Sequence, residues 1–454
     1  MKYESRNPAT GELLESFPYA ADETVQETLE KASASFIVWR DLSFAERAKP
    51  LFRVAELLEE RAEAFGRLMA EEMGKPLAEG IGEAKKCAWV CRYYAEEAEG
   101  FLAEQPHTSD GKEAFVRYDP IGPILAIMPW NFPFWQVFRF AAPTLMAGNV
   151  GLLKHAPNTP RASAVITDLM AEAGFPPGVF QHFYLSNKQA AEVIQDPRVA
   201  GVTLTGSTKA GRIVAGFGGE ALKPMVMELG GSDPFIVFED ASIEDALKAG
   251  VFSRCLNNGQ SCIAAKRFLI HESIRADFTE KLVARMKGMV LGDPLEPSVN
   301  IGPLAREDLR DQLAQQVERS LQAGATALCG GDLPDVEGYF YLPTVLTDVA
   351  PTNPAATEEF FGPVAVVMGF SNEEEAIRMA NDTEYGLGAS VWTQDRERIL
   401  RMARKLEVGN VFVNGMVKSD PRIPFGGIKA SGFGRELGRE GILAFVNAKT
   451  VWIA

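Results

Sequence analysis

The chain has 454 residues and a formal net charge of −15, with 46% hydrophobic and 24% charged residues. This length and balance favour two or three globular domains, and the acidic excess argues against a nucleic-acid-binding surface, which needs clustered Lys and Arg. Five cysteines without regular spacing do not make a disulfide framework, and the four histidines include no pair at metal-ligand spacing. The N-terminus lacks an apolar signal region, and prolines interrupt the longest apolar run. We therefore predict a cytoplasmic protein without a metal site that binds neither nucleic acid nor membranes.

The spacing of apolar residues predicts helices over residues 21–100, followed by two series of alternating strands and helices. The predicted strands are 124–127, 150–153 and 201–205 in the first series, and 234–238, 267–270, 365–368 and 410–413 in the second. Such alternation indicates parallel sheets covered on both faces, so two α/β units meet near residue 230. Residues 114–118 and 450–453 look like isolated strands that need an outside sheet, which points to contacts in an oligomer.

A candidate nucleophile, Cys262, ends the segment Asn-Gly-Gln-Ser-Cys. A cysteine acts as a nucleophile only where its surroundings favour the thiolate, and Gly259 allows another backbone to come close. The apolar residues that follow predict a loop that runs into a helix. The competing interpretation, favoured for an arbitrary intracellular cysteine, is a small buried core residue.

Two further polar residues lie in apolar or restricted surroundings. Glu228 stands between apolar residues and a Gly-Gly pair, and an apolar setting raises a carboxyl pKa toward the range of a general base. Asn131 lies between Pro129 and Pro133, which restrict the backbone so that the amide can be held as an oxyanion-hole donor. The alternatives are a glutamate that caps a strand end and a proline-rich turn with structural aromatics.

The evidence for dinucleotide binding is atypical because the G-x-G-x-x-G fingerprint is absent. The predicted strand 201–205 runs instead into Gly206, Ser207 and a helix, an order that aims N–H groups and a positive dipole at a phosphate. Lys154, after the strand 150–153, is placed to meet a nucleotide ribose or phosphate, although a lysine in such a position is usually only solvated.

These motifs, in this order, resemble the aldehyde dehydrogenase superfamily over nearly the whole chain. Five motifs occur at family-like separations: Pro-Trp-Asn-Phe-Pro, Glu-Leu-Gly-Gly, Gly-Gln-Ser-Cys, Glu-Glu-Phe-Phe-Gly-Pro and Pro-Phe-Gly-Gly. The resemblance implies an α/β fold with two Rossmann-like three-layer α/β/α domains and a small β oligomerisation domain. The expected boundaries are residues 1–106 and 121–228 for nucleotide binding, 229–424 for catalysis, and 107–120 and 425–454 for assembly into a homodimer or homotetramer.

The same resemblance implies the roles of the site residues. Cys262 is the nucleophile that forms a thiohemiacetal and then a thioester, and Glu228 is the general base that activates the deacylating water. Asn131 joins the backbone N–H of Cys262 in the oxyanion hole. The residues implied at the NAD or NADP site are Trp130, Lys154, Pro157, Gly206, Ser207, Leu229, Glu359 and Phe361.

The segment after the oxyanion-hole asparagine indicates the substrate class. Arg139 looks like the arginine with which succinate-semialdehyde dehydrogenases bind the far carboxylate of the substrate, and Ser419 matches a serine at the same carboxylate. Trp135, Phe132 and Phe425 are expected to wall the aliphatic part of the substrate. We therefore predict oxidation of succinate semialdehyde to succinate. The alternatives are glutarate semialdehyde, a neutral aliphatic or aromatic aldehyde with Arg139 as a structural arginine, and a non-catalytic protein on the same fold.

Three positions depart from the patterns of related enzymes. Leu256 stands where some members have a second carboxylate-binding arginine, with Arg254 as the candidate substitute. Phe140 replaces a lysine that is often linked to the glutamate at the position of Glu436, so we assign Glu436 no proton-relay role. Pro157 stands where NAD-selective relatives often have a glutamate that repels a 2′-phosphate, so we expect use of both NAD and NADP.

Overall fold

The structure is a computed structural model that describes residues 2–454. Three of its sheets have three or more strands, and the two larger ones are mostly parallel. The α/β fold class that the alternating pattern predicts is therefore confirmed. Within the described residues, no helix is both long enough and apolar enough to cross a membrane.

The N-terminal region contains a hairpin and four helices, in agreement with the apolar spacing. Its elements are β1 (Tyr3–Arg6), β2 (Leu13–Phe17), α1 (Asp22–Trp39), α2 (Phe44–Glu60), α3 (Ala62–Met73) and α4 (Leu77–Phe101). A capping box starts α2: the Glu46 N–H donates to the Ser43 hydroxyl, and the Ser43 N–H donates to the Glu46 carboxylate. Helices α2 and α3 both pack against α4, which carries residues of the substrate cavity on its opposite side.

Residues 105–228 contain two strands, β3 (Gln105–Pro106) and β4 (Glu113–Pro120), of a three-stranded sheet that we call the small sheet, followed by the first α/β unit. The elements of this unit are β5 (Pro123–Ile127), α5 (Trp135–Met146), β6 (Val150–Lys154), α6 (Pro160–Glu172), β7 (Phe180–His182), α7 (Asn187–Gln195), β8 (Gly201–Thr205), α8 (Thr208–Glu220) and β9 (Met225–Glu228). Strands β9, β8, β5, β6 and β7 are neighbours in that order and run parallel. Asn131, Lys154, Gly206 and Glu228 therefore lie at or beyond the carboxyl ends of these strands, where open α/β sheets bind ligands.

The second α/β unit begins at residue 234, close to the predicted junction near 230. Its elements are β10 (Pro234–Val237), α9 (Ile243–Cys255), β11 (Arg267–His271), α10 (Glu272–Lys287), α11 (Glu307–Gln322), β12 (Thr326–Cys329), β13 (Thr344–Thr347), α12 (Pro354–Thr357), β14 (Val364–Phe370), α13 (Glu373–Asn381), β15 (Tyr385–Gly386), β16 (Gly388–Trp392), α14 (Arg396–Lys405) and β17 (Asn410–Val413). The sheet order is β12-β13-β14-β11-β10-β16-β17, parallel except for β12 against β13. All four predicted strands of this series belong to it.

The C-terminal segment first pairs with the sheet of the first α/β unit and then adds a strand to the small sheet. It contains β18 (Ile428–Lys429), β19 (Gly432–Phe433), α15 (Gly438–Leu443) and β20 (Val446–Ile453). Strand β19 pairs with β9, and only β20 joins β4 and β3. The expectation that 114–118 and 450–453 need an outside sheet was wrong, because these two segments pair with each other. The domain boundaries remain a prediction, and these pairings favour a start of the C-terminal assembly segment at Val446 rather than at residue 425.

Candidate active site

The predicted nucleophile lies in a loop between α9 and β11. Asn257, Asn258 and Gly259 adopt left-handed backbone conformations, with φ of 56°, 58° and 78°. A Cβ on Gly259 would lie 2.3 Å from the carbonyl carbon of Gly362, so this position requires glycine. The helix expected after Cys262 is absent from the structure because the chain enters β11, which pairs on both sides within the sheet. That expectation was wrong.

Buried side chains hold this loop in its strained conformation. The Asn258 amide donates to the carbonyls of Gly74 and Pro303, at 2.8 and 2.9 Å. Arg254 is fully buried and donates to the Gly259 carbonyl. Arg254 is therefore a loop anchor and not the substitute carboxylate ligand that the sequence allowed.

The surroundings of the Cys262 thiol disfavour its thiolate form. Burial raises the pKa of this thiol to about 12, although the nearby Lys266 ammonium opposes the shift. Lys266 donates to the Cys262 carbonyl at 2.7 Å and to the Glu359 carboxylate at 3.1 Å. The nucleophile thus needs a base to remove its proton, and Lys266 ties the nucleophile loop to a predicted cofactor residue.

Glu228 ends β9 as a buried carboxyl group with one oxygen, Oε1, that has no hydrogen-bond partner among the described residues. Burial raises its pKa to about 8, and the negative charge of Glu436 adds to this shift while Arg139 and Arg435 oppose it. A carboxyl group that titrates near neutral pH is suited to taking a proton from water or a thiol. This environment agrees with the predicted general base.

Asn131 is buried beside the nucleophile loop and follows β5. Its side-chain amide donates to the Gln260 carbonyl at 3.1 Å, and its own backbone carbonyl accepts from the Asn257 amide at 2.6 Å. The amide carries two N–H groups, so one remains for a ligand oxygen. Asn131 and Cys262 line the same cleft, as the oxyanion-hole prediction requires.

A cleft between the two α/β units contains most of the predicted cofactor residues. Trp130, Gly206, Ser207, Leu229, Glu359 and Phe361 line it together with Asn131 and Cys262. Helix α8 begins at its wall without an acidic residue in its first turn, so the helix N-terminus offers N–H groups and a positive dipole to an anion. Gln312 and Gln316 of α11 also line the cleft, and no sequence signal pointed to them.

The two other predicted cofactor residues lie outside this cleft wall. Lys154 ends β6, and burial alone lowers the pKa of its ammonium to about 8, with no carboxylate of the described residues in an ion pair with it. Pro157 is exposed in a neighbouring depression, where its carbonyl accepts from the Glu4 N–H. The cation without a protein anion at Lys154 suits a nucleotide ribose or phosphate.

All five predicted substrate residues line a second cavity that also contains Cys262. They are Phe132, Trp135, Arg139, Ser419 and Phe425. Arg139 is buried, forms an ion pair with Glu436, and donates to the Thr205 hydroxyl at 3.3 Å. The apolar part of the wall is extended by Phe252, Leu256 and Ile263. The cavity can therefore accept a short aliphatic chain with a polar group.

The comparison with known protein families covers nearly the whole chain. Residues 1–451 match the aldehyde dehydrogenase family. The chain belongs to this family. The predicted family, enzyme class and fold are therefore confirmed.

Individual relatives show the same similarity along the whole chain. The enzyme is 51% identical over 448 residues to a probable NADP-dependent succinate-semialdehyde dehydrogenase of Synechocystis sp., with 99% of both chains covered. It is 49% identical over 451 residues to the NADP-dependent succinate-semialdehyde dehydrogenase 1 of Mycobacterium tuberculosis, again with 99% of both covered. A crystal structure of succinic semialdehyde dehydrogenase from Streptococcus pyogenes with NADP+ matches at a TM-score of 0.97 and 37% identity, covering 99% of each chain.

Two lysines of the active site were missed in the sequence. A lysine on a strand or helix is usually solvated, so the residue type alone carries no signal at either position. Lys266 is buried against the nucleophile loop, and Lys86 of α4 lines the substrate cavity. An α-helical period through Glu79, Glu83 and Lys86 places these residues on one face, which is the signal that was available.

Proposed function

We propose that this aldehyde dehydrogenase oxidises succinate semialdehyde to succinate, with NADP as the preferred hydride acceptor and NAD as a second one. The proposed substrate class rests on one observation. The cavity that contains Cys262 combines apolar walls with two cationic side chains, Arg139 and Lys86, and the Ser419 hydroxyl. A short aliphatic aldehyde with a carboxylate at its far end satisfies both features. The similarity to NADP-dependent succinate-semialdehyde dehydrogenases supports the same substrate and NADP.

The protein groups around the first cleft fit a nicotinamide dinucleotide. Gly206 and Ser207 at the start of α8 suit the pyrophosphate, Lys154 suits the adenosine ribose or its phosphate, and Glu359 suits the nicotinamide ribose. When bound, the nicotinamide ring supplies the acceptor for the hydride that leaves the substrate carbon.

The residues of the chain itself account for the remaining chemistry. The Cys262 thiol releases its proton to solvent water, and the sulfur adds to the aldehyde carbon. The resulting oxyanion accepts hydrogen bonds from the Asn131 amide and the Cys262 backbone N–H. In the thioester that follows oxidation, Glu228 takes a proton from water while the water oxygen attacks the acyl carbon. The C–S bond then breaks, which releases the carboxylic acid and the thiolate of Cys262.

The test compares kcat/KM for succinate semialdehyde, glutarate semialdehyde and butanal, each with NAD and NADP. We expect a preference for succinate semialdehyde over butanal of about 100-fold, in line with a charge-assisted contact to the substrate carboxylate. Equal or better use of butanal would refute the substrate assignment and leave the neutral-aldehyde alternative. A complete absence of nicotinamide reduction and of a thioester on Cys262 would support the non-catalytic alternative.

We also propose that the enzyme forms a homodimer or homotetramer through the small sheet. Strand β20 pairs with β4 along one edge only, and its other edge has no partner strand among residues 2–454. Trp452 and Ile453 at its end are exposed, with 52% and 45% of their surface accessible. An exposed edge strand of eight residues that ends in apolar side chains favours pairing with another subunit. A cytoplasmic location is supported by five cysteines that are all free thiols.

A further inference from the structure

Lys86 projects from α4 into the wall of the substrate cavity. Its ammonium nitrogen donates to the Ser419 hydroxyl at 2.8 Å and lies 4.0 Å from the centre of the Trp135 ring. The hydrogen bond and the cation–π contact together hold the ammonium at this wall. The neighbouring Lys85 is exposed and does not line the cavity.

The charge of Lys86 has no counter-ion in the described part of the chain. The two carboxylates whose charges act on this ammonium are engaged elsewhere: Glu83 pairs with Lys75, and Asp420 pairs with Arg422. Burial lowers the pKa of the Lys86 ammonium to about 8, and the positive charge of Arg139 adds to this effect. A desolvated cation without a protein anion is a favourable position for a negatively charged ligand.

Arg139 differs from Lys86 in this respect. Its guanidinium forms an ion pair with Glu436, and both side chains are buried. The charge of this guanidinium is thus partly engaged by a protein carboxyl group, whereas a cation without an ion pair offers its whole charge to a substrate carboxylate.

Ser419 completes the arrangement around Lys86. Its hydroxyl oxygen accepts the hydrogen bond from Lys86, and the hydroxyl hydrogen is left to donate to another acceptor. The lysine and the serine can thus bind two oxygens of one carboxylate, the lysine through its charge and the serine through a neutral hydrogen bond.

We propose that Lys86, together with Ser419, is a further ligand of the substrate's far carboxylate, beside Arg139, which also pairs with Glu436. This assignment rests on the proposed function, because it presupposes a substrate that carries a carboxylate. It makes Lys86 one of the residues that determine the preference for semialdehydes over neutral aldehydes.

The test uses the full-length enzyme with succinate semialdehyde and its methyl ester, methyl 4-oxobutanoate, which differs in lacking the charge. The variants are Lys86→Met, Lys86→Gln, Lys86→Arg and, as a matched control on the same helix, Lys85→Met. We expect Lys86→Met and Lys86→Gln to lower the ratio of kcat/KM for acid over ester about 10- to 100-fold, mainly through KM for the acid, because a charge-assisted hydrogen bond is lost. Lys86→Arg should retain most of the ratio, and Lys85→Met should leave it unchanged.

A binding measurement complements the kinetics. Succinate should protect Cys262 of the wild-type enzyme from alkylation by iodoacetamide, and Lys86→Gln should need a roughly 10-fold higher succinate concentration for the same protection. If the wild-type enzyme shows no preference for the acid, the proposed function fails. If the wild-type preference is present and Lys86→Met and Lys86→Gln both keep it while remaining folded, the assignment to Lys86 is overturned and the proposed function stands.

Discussion

Arg139 forms a buried ion pair with Glu436, and both groups act on the charge of Glu228. The guanidinium favours the Glu228 carboxylate, whereas the Glu436 carboxylate disfavours it. The two opposing charges leave burial as the main cause of the raised pKa of Glu228. The ion pair therefore connects the wall of the substrate cavity with the titration of the predicted general base.

Replacement of Arg139 by Met should raise the pKa of Glu228, since the stabilising cation is removed and the negative charge of Glu436 remains. We expect the midpoint of the pH–kcat profile to move upward by about one pH unit or more, for acid-bearing and neutral aldehydes alike. The double variant Arg139→Met/Glu436→Gln removes both charges and should move the midpoint back toward the wild-type value. An unshifted midpoint in the single variant would contradict the coupling between these groups.

The pH dependence of the wild-type enzyme should follow the ionisation of Glu228, which has a pKa raised to about 8. A general base must be deprotonated, so kcat should rise with pH and level off above this value. Stopped-flow measurement of acyl-enzyme hydrolysis from pH 6 to 10 provides the profile. Glu228→Gln should abolish this profile, slow hydrolysis by a factor of about 10² to 10⁴, and allow the thioester on Cys262 to accumulate in intact-protein mass spectra. Rapid hydrolysis in that variant would assign the base to another group.

Gly259→Ala should damage both stability and activity. The position has φ of 78°, and an added Cβ would lie 2.3 Å from the Gly362 carbonyl carbon, so the nucleophile loop must shift. We expect a loss of about 1–3 kcal/mol in the free energy of unfolding, as is usual for left-handed strain, together with a loss of kcat. Gly216→Ala is the matched control: Gly216 lies within α8 with no atom within 4 Å of an added Cβ, and its replacement should stabilise by about 0.5–1 kcal/mol. Equal effects of the two substitutions in denaturant unfolding would argue against the strained loop.

Pro157→Glu should shift cofactor use from NADP toward NAD. Pro157 is exposed, so the substitution changes charge with little effect on packing, and a carboxylate at this position would repel a 2′-phosphate. We expect the ratio of kcat/KM for NADP over NAD to fall about 10-fold or more, since like-charge repulsion costs more than about 1.4 kcal/mol in a cofactor site. Pro157→Gln, which has the same size without the charge, should change the ratio much less. Equal NADP-to-NAD ratios of kcat/KM in Pro157→Glu and Pro157→Gln would show that a charge at position 157 does not control cofactor selection.

Local patterns in the sequence determined the strands, the helices and the chemical types at the centre of the site. The strands β5, β10 and β11 could be predicted because strands buried on both faces are continuously apolar over a few residues. The roles of Cys262, Glu228 and Asn131 could be predicted because each residue stands in a short motif whose surroundings suit its chemistry. The prediction of a helix after Cys262 was wrong because a short apolar run does not distinguish a helix from a buried strand.

Only the tertiary structure decided which charges meet. Lys86 and Ser419 are separated by 333 positions in the chain, and neither residue type carries a local signal of that contact. The pairing of Arg139 with Glu436 likewise depends on the return of the C-terminal segment to the first sheet. Charges interact through space and not along the chain. Packing therefore decides whether a buried cation pairs with a protein carboxylate or remains free to bind a ligand.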